Sequence, residues 1–279
     1  MDIQPANCYA RAQRLLGEIR LIGAEMGRSP DARALPSIKD AAPRECYFEA
    51  LALFAKADRL NQELTGDPTD SLPHPPALAQ LRPQHVLEVI DAALRELDMV
   101  KADLQLAERA AEPALEPARQ PSDVLISLID ANRQLGRLLE RPFTPSDVYR
   151  QVGLASTYAA RLVARAGASA PAPAPFVRGK RPADCYDKLL ACMTRLGAIA
   201  KAGGQTVLDV RGAPPDVLPG DVYDLANLVL GEVAFLHSLA PDPSPPYPFE
   251  QHAPGRRLPA HVHQLASTLE AQLAVVTKP

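Results

Sequence analysis

A proline-led opening recurs eight times along the chain, and it constrains the fold more than any other feature. The segments are Pro5-Ala-Asn-Cys-Tyr9, Pro43-Arg-Glu-Cys-Tyr47, Pro83-Gln-His-Val-Leu87 and Pro121-Ser-Asp-Val-Leu125, followed by Pro145-Ser-Asp-Val-Tyr149, Pro182-Ala-Asp-Cys-Tyr186, Pro219-Gly-Asp-Val-Tyr223 and Pro259-Ala-His-Val-His263. Successive prolines are 38, 40, 38, 24, 37, 37 and 40 residues apart, so one short step divides the openings into two sets of four. Matched members of the two sets are offset by 140, 139, 136 and 138 residues. A repeated unit with a fixed period is one supersecondary element that must stack on its neighbours to bury its apolar face.

Each opening reads as the start of a helix. Proline is favoured at the first helical position, where its missing N–H is not needed and its φ is already helical. Two residues on stand Asn7, Glu45, Asp123, Asp147, Asp184 and Asp221, whose side chains complement the helix dipole and can satisfy free backbone N–H groups; His85 and His261 fill the same place. A 3.6-residue apolar period follows, as in Cys185, Leu189, Cys192, Leu196 and Ile199. Gly27, Gly66, Gly167 and Gly203-Gly204 stand where helices would end. The spacing predicts helices at about 6–26, 44–65, 84–109, 122–140, 146–166, 183–203, 220–239 and 260–277. The seventh is apolar around most of its circumference, from Val222 through Leu236, and should be the most enclosed of its module.

The expected fold is therefore all-α: two tandem four-helix bundle-like modules, residues 1–141 and 142–279, built from an internally repeated helix-plus-Pro-rich-linker unit. The composition agrees, because Ala and Leu dominate while aromatics are only 5 % and Trp is absent. The 29 prolines belong between helices rather than inside them. Linkers of this length could run back along a whole helix and make consecutive helices parallel. Up-down packing with slack loops is the first expectation.

Composition also bounds the function. A net charge of −3 and a pI near 6.1 lack the basic balance of a nucleic-acid binder. No apolar run is long enough to span a membrane. The first residues, MDIQPANCYARAQRLL, lack the features of a secretory signal. A soluble protein is expected, cytoplasmic, or periplasmic if a leader has been removed, and the Ala/Pro/Arg-rich composition suggests a bacterial source.

Candidate sites each have a plainer reading. Cys8, Cys46 and Cys185 occupy a position that Val fills elsewhere and read as small core residues, with Cys192 on the same face as Cys185. Tyr9, Tyr47, Tyr149, Tyr186 and Tyr223 read as locks at the mouth of a bundle; the sharper alternative is a ring of hydroxyls around a ligand. Asn132 and Asn227 interrupt the apolar stripes and either fix register or contact a ligand. His261-x-His263 places its rings on different faces, and no Glu-x-x-His pair occurs, so no metal and no cofactor is expected. His74, His85, His237 and His252 add no ligand spacing. Glu88, Asp91, Glu96 and Asp98 with Arg95 and Lys101 read as a solvated helix face. No catalytic motif is present, and no catalytic residue is assigned. The reading these features favour is a non-enzymatic helical interaction or scaffold protein with a protein partner. Two alternatives remain: a sensing or carrier protein holding a small molecule between helices, and an enzyme with an unrecognised site at the inter-module cleft.

Overall fold

The computed structural model describes residues 3–66, 72, 77–111, 113–241, 243 and 256–276. Among these, eight α-helices carry the fold: α1 (Pro5–Glu25), α2 (Pro43–Leu64), α3 (Pro83–Asp103), α4 (Pro121–Gly136), α5 (Pro145–Arg165), α6 (Pro182–Ala202), α7 (Pro219–Ser238) and α8 (Pro259–Val276). The protein is all-helical apart from a short antiparallel pair, β1 (Ser37–Lys39) with β2 (Asp209–Arg211), and one turn of 3₁₀-helix. Every predicted helix is present. α3 stops at Asp103, short of the expected 109, because Gln105 takes a left-handed φ of 55° and Leu106 N–H bonds back to the Lys101 carbonyl.

The eight openings fold alike. Each proline is the first helical residue, and the side chain two residues later accepts a hydrogen bond from the backbone N–H of the residue before the proline. Asp184 accepts from Arg181 N–H at 2.7 Å and Asn7 from Gln4 N–H at 2.9 Å. His85 and His261 do the same through Nδ1, each at 3.0 Å, which fixes Nδ1 as the unprotonated ring nitrogen. Asp184, so held, has its carboxyl below the usual range, chiefly through the Arg181 backbone bond.

The contacts divide the chain into two units, Met1–Leu35 with Ala41–Pro142, and Pro36–Asp40 with Phe143–Pro279. In the first unit α1 packs on α3 and α4, and α2 packs on α3 and α4. The second repeats this pattern: α5 and α6 each pack on α7 and α8. β1, although it lies in the α1–α2 linker, belongs to the second unit through its pairing with β2.

The up-down expectation is overturned, for all four helices of each unit run parallel. Pro5, Pro43, Pro83 and Pro121 converge at one end of the first unit, and Pro145, Pro182, Pro219 and Pro259 at one end of the second. Bonds between helices join equivalent depths, as from Arg11 to Asp91 at 2.8 Å and from Gln13 to Ser127 at 2.9 Å. The linkers make this feasible. Met26–Ala42 spans 17 residues, enough extended chain to retrace a 21-residue helix about 31 Å long.

Their course is pinned by hydrogen bonds. The α1–α2 linker meets α4 first near its end, at Gln134, and last near its start, where Ala41 N–H bonds Ser122. The α3–α4 linker descends α1 from Glu18, which accepts from Ala110 N–H, to Tyr9, whose ring lies under the Arg119 guanidinium at 4.1 Å. The α5–α6 linker runs along α8 from Thr268 to His261, which packs on Phe176. Side chains such as Leu15, Ile22, Leu53, Leu125 and Leu189 fill the interior. Each contributes about 1.5–3 kcal/mol by leaving water. α7 is the most enclosed of its unit, buried nearly all round from Asp221 to His237.

Candidate functional site

Where the four helix starts of a unit converge, proline rings and the next Cys or Val close the axis. The first unit has Cys8, Cys46, Val86 and Val124 there; the second has Val148, Cys185, Val222 and Val262. The cavities left are about 10 and 20 Å³, the size of a single water. The thiols are free, buried and hydrogen-bonded: Cys8 donates to the Pro83 carbonyl at 3.2 Å, Cys46 to Pro121 at 3.3 Å and Cys185 to Pro259 at 3.2 Å. Burial pushes Cys8 and Cys185 up to about 12. Cys46 and Cys192 are raised for the same reason.

The tyrosines stand one residue further on, outside the residues that line these cavities. Tyr47, Tyr186 and Tyr223 are buried, whereas Tyr9 and Tyr149 are half-buried. Tyr9 lies under Arg119, and Tyr149 under Arg257 at 4.6 Å, the matching residue of the second unit. Tyr47 meets Phe48 edge-on, and Tyr223 packs 4.1 Å from Phe143 while its hydroxyl accepts from Gln151. Burial raises the hydroxyl pKa of both Tyr47 and Tyr223.

Asn132 is fully buried and donates to the carbonyl and the carboxylate of Glu49, at 3.1 and 2.7 Å. Its backbone carbonyl accepts from Lys56 Nζ at 3.2 Å. Asn227 is buried and donates to the Tyr223 carbonyl one turn back. A second polar cluster corrects the sequence reading. Glu96 and Lys101 lie inside, not on a solvated face. Glu96 accepts from Asn61 at 2.8 Å, and Lys101 pairs with Glu18 and reaches the Glu108 carbonyl. Burying such charges is offset only by close pairing and complete hydrogen bonding.

Of the sequence-predicted histidines, His74 and His252 lie outside the described residues. His261 caps α8, and His263, half-buried near Lys180 and Lys188, is held below the ordinary imidazole range chiefly by burial. Among the described residues, no three His, Cys, Asp or Glu side chains come together as a metal site, and no helix is long and apolar enough to cross a membrane.

Among the described residues, two open surfaces stand out. At the proline end of the second unit, Leu218 and Leu258 are the residues before α7 and α8, 42 % and 50 % exposed, and Phe176 and Val177 are exposed in the linker that reaches His261 of α8. The matching places in the first unit hold Arg82 and Gln120. At the opposite end of the first unit, a cavity of about 280 Å³ opens between the last turns of α1 and α4, lined by Arg20, Arg28 and Arg137 above Gly23 and Leu138. Sequence reading singled out neither surface. No protein-family model, curated protein or solved structure matches the chain.

Proposed function

We propose that the chain is a non-enzymatic interaction protein, whose second four-helix unit receives a protein partner at its proline end. One observation carries the reading: leucine stands before α7 and α8. Leucine is among the poorest residues at a helix N-cap, about 1 kcal/mol below Asn, Asp or Ser. Leu218 and Leu258 bury less than a core residue would in return. Together with Phe176, which packs on His261 of α8, they add exposed apolar side chains to the end where the four prolines converge. Exposed apolar clusters of this kind mark association surfaces.

The rest of the architecture supports a mechanical role. The axes are closed, the thiols are withdrawn from chemistry, and repeated caps fix every helix at the same level. A photo-crosslinking amino acid at Leu218, in cells of the source organism, tests the reading. We expect one discrete protein adduct that Leu258→Glu abolishes and that the same probe at exposed Leu115 does not give. No adduct, or an equal yield from Leu115, would remove the proposed seat.

A further inference from the structure

We propose that the cavity between the ends of α1 and α4 binds a small organic anion, a carboxylate or phosphate on a short apolar body. This goes beyond the interaction role and does not rest on it. The cavity is about 280 Å³, near the lower edge of ordinary small-molecule sites. Its floor is apolar, with Leu138 beside Gly23.

One wall is firmly built. Gln134, nine-tenths buried, accepts from Asp31 N–H at 2.8 Å and donates to the Asp31 carbonyl and to Asp130, each at 2.9 Å. Asp31 in turn holds Arg33 through both carboxylate oxygens. The strap is thus satisfied within itself, whereas the cations on the rim are in surplus. Arg20 has only a 3.7 Å pair with Asp130, and Arg28 and Arg137 have no side-chain partner among the described residues. Guanidinium groups match carboxylate and phosphate oxygens in pairs.

The second unit serves as an internal control. The ends of α1 and α5 close with the same backbone bonds: Arg28 N–H to Gly23 carbonyl matches Ala168 N–H to Val163 carbonyl. Yet Arg20, Arg28 and Arg137 correspond to Ala160, Ala168 and Val275, and Gly23 corresponds to buried Val163. The fold therefore needs neither the three cations nor the space that Gly23 leaves.

Amide-resolved NMR titration with phenyl phosphate, benzoate and uncharged benzamide tests the proposal. We expect saturable shifts confined to the last turns of α1 and α4 and to residues 28–30, with at least one of the two anions, weakening as salt screens the charges. The comparison of the two anions distinguishes a phosphate from a carboxylate ligand. The variant Arg20→Ala/Arg28→Ala/Arg137→Val installs the second unit's own residues, so it should fold, and affinity should fall at least tenfold. If the triple variant does not fold, Arg28→Ala/Arg137→Val, two exposed side chains, carries the same test. No saturable shift with either anion, equal response to benzamide, or retention of affinity in the variant would overturn the proposal.

Discussion

The residue two places after each opening proline is Asn, Glu, Asp or His for one reason. It must present an acceptor to the backbone N–H before the helix, and these side chains reach it. The next residue faces the axis and must be small. Val satisfies that need by shape, while Cys adds a weak hydrogen bond to the proline carbonyl of a neighbouring helix. This placement governs the chemistry of the thiols. Their folded-state pKa lies above the unfolded value near 9, and for Cys8 and Cys185 at about 12. The thiol form is the stable one inside. Its contribution is complete below about pH 9 and is lost as pH rises toward 12. At pH 8 we expect all four cysteines to resist a disulfide exchange reagent in the native protein and to react together on unfolding. One rapidly titrating equivalent in the native state would contradict the assignment.

At the scale of the element, helix positions were legible because local physics sets them: a proline start, an acceptor, a 3.6-residue stripe and a glycine stop, as at Gly27 and Gly167 with φ of 64° and 63°. Helix direction was not. The same stripe buries equally well beside a parallel or an antiparallel neighbour, and only the linkers decide. Buried charge was hidden for a related reason. Lys101 stands among surface-spaced acids in α3, but its partner Glu18 is 83 residues away on α1. The arginine-rimmed cavity was visible in sequence only by aligning the two halves, where Arg28 meets Ala168. The return path of a linker makes its own demand on the helix beneath. An added Cβ at Gly17 would stand 2.7 Å from the Ala110 Cβ of the descending α3–α4 linker. Gly17→Val should therefore cost about 1–3 kcal/mol in denaturant unfolding, the usual range for overpacking. A stability equal to or above the parent would show that the linker does not lie there.

For the molecule as a whole, the consequence of parallel packing is polarity. Each unit gathers all its helix starts at one end and all its helix ends at the other, so the two ends can differ in chemistry without disturbing the fold. The second unit uses its starting end for exposed leucines, and the first uses its finishing end for arginines around a cavity. Both assignments depend on the direction of the helices. The most direct test is a pulsed electron-spin distance between labels at Gln4 and Gln120, the exposed residues before α1 and α4. Adjacent helix axes lie about 8–10 Å apart, so parallel packing predicts a label separation below about 20 Å. Up-down packing would put the two sites at opposite ends of a 21-residue helix, about 30 Å apart or more, and that result would contradict the architecture.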